Sequence, residues 1–209
     1  MARANGCDRL CGWQSVSGWD MTLLTLAIAA LGLTTHVDQV QAQQDLKSGQ
    51  VAPPSLVAGK VVVPPTIDGN VGVDEWAGAS VAGDFVQYQP VRGAPATRPT
   101  TVLLLHDDST LFVAFRVTED GPVVAQLTSR DADLTSDDAA VLILDTFRDR
   151  QSAYYFVANA LGTQADGLIT NDGRTVDTAW DGIWTVAASR TDTGWSVEFE
   201  IPLRLLKYV

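Results

Sequence analysis

Trp195-Ser196-Val197-Glu198-Phe199-Glu200-Ile201 alternates large apolar side chains with polar ones along its whole length. Successive side chains of a strand point to opposite faces, so Trp195, Val197, Phe199 and Ile201 share one side and Ser196, Glu198 and Glu200 the other. The pattern predicts a strand with one face in a core and one in water. Burying the four apolar side chains contributes about 1.5–3 kcal/mol each before chain entropy is subtracted. Upstream, Thr191-Asp192-Thr193-Gly194 supplies a turn in which Gly194 takes the positive φ a hairpin loop requires. Trp184 to Arg190 then becomes the partner strand.

The same signals recur outward along the chain. Thr101 to His106, a turn at Asp107-Asp108-Ser109-Thr110, and Leu111 to Val117 form a second hairpin. Its strands are apolar on both faces, which places them centrally in a sheet. Val141 to Thr146 and Tyr154 to Asn159 form a third pair around the charged turn Phe147-Arg148-Asp149-Arg150. Helical signal is scarce. Val73 to Ala77 is expected to make one helical turn, with Asp74 and Glu75 near its start, where carboxylates favour the helix dipole. Lys60 to Val63 is expected as a first edge strand between Pro53-Pro54 and Pro64-Pro65. Short strands with regularly spaced turns give an all-β fold, an antiparallel, jelly-roll-like β-sandwich.

The chain has 209 residues, enough for one core of ordinary size. Hydrophobic residues make up 46% and charged residues 19%, a globular composition. The formal net charge of -11 argues against nucleic acid and anionic lipid as partners, since both require a surplus of Lys and Arg. Met21 to Leu33 is apolar but shorter than the roughly 20 residues a membrane span needs, and it suits the core of a signal peptide. Val40-Gln41-Ala42 offers small residues at the cleavage positions. The chain therefore divides into a leader over 1–42, a polar and Pro-rich linker over 43–65, and a sandwich over 66–209. The destination is export: periplasmic, outer-membrane-associated or secreted.

Signals for catalysis are few. Cys7 and Cys11 both fall in the leader, and the body holds a single histidine, His106, at the end of a strand beside two aspartates. A nucleophilic triad or a zinc site therefore lacks its residues. Carboxylates are plentiful: Asp131, Asp133, Asp137 and Asp138 precede a strand, and Asp172, Asp177 and Asp181 lie between strands. They admit three readings: an acid and nucleophile pair of a glycosidase, a calcium site built from Asp131, Asp133 and Asp137, or solvated turns. Among the aromatics, Trp195 is assigned to the core and Trp76 to a plug at one end of the sandwich. Trp180 and Trp184 flank Asp181-Gly182-Ile183 in a loop entering a strand, where an indole can stay exposed to stack on a sugar face.

An ordered set of short motifs carries a family resemblance. Ile67-Asp68-Gly69 with Asp74-Glu75-Trp76 comes first, then His106-Asp107-Asp108 with Leu111-Phe112-Val113. Ser136-Asp137-Asp138 with Leu144-Asp145-Thr146-Phe147 follows, then Tyr154-Tyr155-Phe156 with Asn159, Trp180-Asp181-Gly182-Ile183-Trp184, and Gly194-Trp195 with Ile201-Pro202. In this order, from Thr66 onward, the chain resembles the family 9 carbohydrate-binding modules in the divergent form that opens larger exported bacterial proteins. The resemblance implies a β-sandwich that binds polysaccharide or oligosaccharide without catalysis, with structural calcium. It implies sugar contacts at Trp180, Trp184, Asp181 and Asn159. It also implies a partner region downstream, a glycoside hydrolase or a β-barrel, and a monomeric module. The alternative function is a structural module that packs against such a barrel and binds no sugar.

Overall fold

The computed structural model describes residues 55–208. The leader with Cys7 and Cys11, and the linker as far as Pro54, lie outside the described residues. Among the described residues ten strands form two sheets. The first contains β1 (Gly59–Lys60), β2 (Ser80–Ala82), β3 (Thr100–His106), β4 (Thr110–Thr118), β9 (Thr185–Thr191) and β10 (Gly194–Pro202). Its order is β1-β3-β4-β10-β9, with β2 also on β3. The second contains β5 (Ala139–Leu144), β6 (Ala153–Asn159), β7 (Gln164–Thr170) and β8 (Thr175–Asp177) in sequence order. All pairings between these strands are antiparallel except the short β1–β3 contact, in which Gly59 lies opposite Leu105. The second sheet is thus an up-and-down meander inserted between β4 and β9.

The three expected hairpins are present. β10 pairs with β9 on one side and β4 on the other, with Phe199 opposite Val186 and Val113. At the β9–β10 turn, a Cβ on Gly194 would sit 2.0 Å from the Val117 carbonyl oxygen. That position needs glycine for space as well as for its φ of 146°. Trp195, Val197, Phe199 and Ile201 enter the inter-sheet core as expected, against Tyr154, Phe156 and Ala158 of β6.

The other face of β10 departs from expectation. Ser196 and Glu198 are buried, Glu198 completely, and Glu200 is half-buried. The cause is a strap, residues 61–79, that crosses the outside of the first sheet. It lays Val61, Ile67, Val71, Trp76 and Ala79 over Leu103, Leu105, Phe112 and Ala114, making a second apolar layer. The strap is latched by polar groups. Glu198 accepts hydrogen bonds from the Trp76 indole N–H (2.8 Å) and the backbone N–H groups of Gly69 (2.7 Å) and Asp68 (3.0 Å). Ser196 donates to the Gly69 carbonyl at 2.6 Å, and the Arg116 guanidinium donates to that of Val71. Trp76 therefore belongs to the strap and packs over the middle of β10, and does not plug an end of the sandwich. Val73 to Ala77 forms hydrogen-bonded turns that deliver this indole, not a helix. Among the described residues helix is confined to 3-10 turns at Leu134–Ser136 and Leu203–Leu205. None is long and apolar enough to cross a membrane.

Burial pushes the Glu198 carboxyl upward in pKa, and the donors from Trp76, Gly69 and Asp68 act against that rise. Replacing Glu198 with Ala strands all three donors in a site closed to water. A lost hydrogen bond to a charged group costs about 1.5–3 kcal/mol, and buried donors left unpaired add their desolvation cost. Glu198→Ala is expected to lower stability by about 3 kcal/mol or more in urea unfolding. It should also shift Trp76 emission to the red as the strap lifts. Glu198→Gln, which keeps one acceptor oxygen, should lose less.

Candidate functional site

Among the described residues the first sheet is covered on both faces, the second on one. Its strands turn Ala140, Leu142, Tyr154, Phe156 and Leu168 inward. The alternate residues Val141, Ile143, Tyr155, Val157, Ile169 and Val176 then face outward, where a sandwich ordinarily shows polar side chains. They floor a groove of about 430 Å³, within the size range of small-ligand sites. Asp131, Asp133 and Thr135 stand at its rim together with Thr178, and among the described residues no Lys or Arg lines it.

Tyr155 is the aromatic in this floor. It lies opposite Gly167 on β7, and its ring crosses directly over that glycine. A Cβ at position 167 would meet Tyr155 Cε1 at 2.6 Å, its hydroxyl at 2.7 Å and the Asp177 carbonyl oxygen at 2.5 Å. Any side chain there would push the ring off the sheet. Burial, with the nearby charges of Asp166, Asp131 and Asp177, raises the phenol pKa. The hydroxyl stays protonated at neutral pH and able to donate.

The four expected sugar contacts fall in different places. Trp184 lies in the core. Its indole stacks on Phe199 with centroids 5.4 Å apart and planes 2° off parallel, and meets Phe156 edge-on. Its N–H donates to Asp166 Oδ2 at 2.7 Å. Asn159 is completely buried. Its amide donates to the Leu127 carbonyl and to Asp137 Oδ2, and its oxygen accepts from Leu161 N and Thr163 N. No polar atom of either residue is left over for a ligand. Trp180 is half-buried, edge-on to Tyr154 (5.2 Å) and Phe156 (5.9 Å), and closes the side of the sandwich. Gly182 packs under its ring, where a Cβ would come within 2.7 Å. Asp181 is exposed.

Arg130 joins this loop to the rest. One guanidinium nitrogen donates to Asp166 Oδ2 (2.7 Å), Asp181 Oδ1 (2.6 Å) and the Gly182 carbonyl (2.9 Å). Asp166 is buried, which raises its carboxyl pKa, while Trp184, Gly182 and Arg130 hold part of that rise back. Arg130 is its counter-charge. A shallow depression of about 480 Å³ opens beside Arg130 between Thr128 and Gln164.

The expected calcium ligands do not converge. Asp137 Oδ2 is occupied by donors from Gln126 N (3.0 Å), Leu127 N (3.0 Å) and Asn159 Nδ2 (2.8 Å). Asp133 caps the 3-10 turn through Thr135 N, and Asp131 pairs with Arg130 Nε at 3.4 Å. Among the described residues no group of three His, Cys, Asp or Glu side chains is arranged to hold a metal ion. Burial pushes the Asp137 carboxyl up in pKa, but the donors of Leu127, Asn159 and Gln126 outweigh it and hold the carboxyl below its ordinary range.

Tyr155, Gly167 and Arg130 were not singled out as site residues by the sequence, although Tyr154-Tyr155-Phe156 held the signal. Two aromatics on alternate positions of a strand serve its core face, and the one between them must point outward.

No protein-family model matches the chain, and no curated protein does. Among solved structures, the fold is similar to that of a candidate carbohydrate-binding protein from Bacteroides uniformis. The TM-score is 0.56 at 15% identity, over 71% of this chain and 72% of that one. A family 9 carbohydrate-binding module from Caldicellulosiruptor kristjanssonii, solved with glucose and with cellotriose, is also similar. The glucose complex has a TM-score of 0.46 at 21% identity, over 69% of each chain. The cellotriose complex gives 0.47 at 20% identity, over 68% of this chain and 66% of that one.

Two outcomes follow from the polar ties. Arg130→Met leaves the buried Asp166 carboxylate without its cation and is expected to cost about 3 kcal/mol. Adding Asp166→Asn should recover part of that loss in urea unfolding. Asp137, held low in pKa, contributes stability that is present above its unfolded value and lost as pH falls through the folded one. Asp137→Asn should therefore cost about 2 kcal/mol at pH 7, and the gap to the parent protein should narrow as the pH drops below about 4.

Proposed function

We propose that the protein binds saccharide chains without catalysis, in the groove on the outer face of the second sheet. The observation that carries this reading is the Tyr155 ring laid across Gly167 in an apolar floor, with carboxylates and hydroxyls at the rim. A pyranose has a C–H face that stacks on an aromatic ring and hydroxyls around its edge that donate to carboxylates. The groove offers both kinds of contact in that arrangement. A rim bearing Asp131 and Asp133, in a chain of net charge -11, suits a neutral ligand. The fold shared with a candidate carbohydrate-binding protein supports the reading at the level of architecture. In the same reading the leader exports the protein to where polysaccharide is found. There, as a monomer, it tethers a downstream hydrolase or barrel region to the polymer. Affinity in an open groove is modest, millimolar to micromolar, or roughly -4 to -8 kcal/mol.

One observation favours an alternative location for the saccharide site, at the Trp180 loop. Trp180 is partly exposed beside the exposed Asp181 and the half-exposed Arg130, the mixture of ring and charged hydrogen-bonding groups a sugar uses. The two locations are separable by mutation. In affinity electrophoresis through gels containing xylan, glucomannan or hydroxyethylcellulose, retardation of the parent protein is expected with at least one polymer. Tyr155→Ala should abolish it, while Trp180→Ala should leave it in place at a temperature where both variants are folded. Retardation lost only in Trp180→Ala would move the site to the Trp180 loop. No retardation of a folded parent protein would favour the structural module.

A further inference from the structure

We infer that the groove selects saccharides carrying acetyl groups, as O-acetyl esters or N-acetyl amides, over the same chains without them. This inference rests on the saccharide reading and specifies its ligand class. One aromatic ring accounts for one sugar face. Around it, Val141, Ile143, Val157, Ile169 and Val176 present aliphatic surface with no donor or acceptor. An unsubstituted pyranose carries hydroxyls around its periphery, and those pressed against these side chains would lose water without gaining a partner. An acetyl group resolves the mismatch. Its methyl fills aliphatic space, and its carbonyl needs only a donor, for which the Thr135 and Thr178 hydroxyls at the rim and the protonated Tyr155 phenol are placed. The charges point the same way. Lined by aspartates and no Lys or Arg, the groove repels uronic acids, the other common way a polysaccharide is decorated.

The outward apolar surface also has an independent reason to exist. A solvent-facing sheet surface normally carries polar residues on alternate positions, yet β5 and β6 place the partly exposed Val141, Ile143 and Tyr155 and the buried Val157 there. With the exposed Val176 beside them, they make a partly exposed apolar surface rimmed by polar groups, the character of a binding site. Its occupant must supply apolar surface of its own.

The test compares neutral ligands that differ in the acetyl group alone or nearly so. One pair is native acetylated xylan and the same xylan after mild alkaline deacetylation. The other is tetra-N-acetylchitotetraose and cellotetraose, titrated calorimetrically into the protein. Each methyl group buried is expected to strengthen binding about fourfold. Ile143→Thr, folded to the same temperature as the parent, should shrink that ratio, and Tyr155→Ala should remove binding of both members. Equal affinity within both pairs, or a preference for the unsubstituted members, overturns the acetyl preference while leaving saccharide binding standing. No binding of any of the four overturns both readings. A protein that runs as a dimer, and returns to monomer with Val176→Asp, also overturns them, since a second copy would then be the occupant of the groove.

Discussion

Glu198 sets the constraint on which the architecture depends. It sits on β10, the strand between β4 and β9, with its side chain on the face opposite the inter-sheet core. A carboxylate left there in contact with the apolar residues of β3 and β4 is tolerable only if it is solvated or hydrogen-bonded. The strap supplies the hydrogen bonds, through Trp76 and the backbone of Asp68 and Gly69, and in doing so excludes the solvent. One interaction thus turns a two-layer sandwich into a first sheet buried on both faces. The specificity of the latch matters more than its net energy. A valine at position 198 would bury well, but it would leave the Trp76 indole N–H and two backbone N–H groups with no acceptor.

With the first sheet covered on both sides, the meander β5 to β8 is the layer with an uncovered face among the described residues, and its alternate residues are as apolar on that face as on the inner one. Loop 127–137 borders this face and is held from below by Asp137, whose Oδ2 accepts from Gln126 N, Leu127 N and Asn159 Nδ2. Arg130 ties the same loop to Asp166 and to the turn at Asp181-Gly182. The rim residues Asp131 and Asp133 are therefore carried on a loop fixed at two points.

Much of the architecture was legible in local pattern. Period two across Trp195 to Ile201 gave β10 and its core face, and the turn residues gave all three hairpins within a residue or two. The opposite face of β10 was not legible, because what covers Glu198 lies more than a hundred residues earlier in the chain. Nothing within Ser196 to Glu200 distinguishes a carboxylate in water from one under a strap. The same limit applied to the tryptophans. Trp184 opens a strand and looks available, yet its place is decided by Phe199 on a neighbouring strand and by Asp166 in the other sheet. Asn159 and Asp137, read as ligand contacts of two different kinds, turn out to be partners of each other. Polar residues near a turn announce that hydrogen bonds are made there. They do not say whether the partner is backbone, another side chain or a ligand.

Tyr155 shows what sequence patterning does carry when two strands are considered together. Its own strand, Ala153–Asn159, is apolar on both faces and leaves open which face is covered. Gly167 resolves the question, because a glycine in the middle of a paired strand weakens it and persists where something approaches the backbone closely. Here the approaching group is the Tyr155 ring, held flat to the sheet by the absence of a Cβ beneath it. The pairing of Tyr155 with Gly167 therefore lets the ring lie across the neighbouring strand, which any side chain at position 167 would prevent.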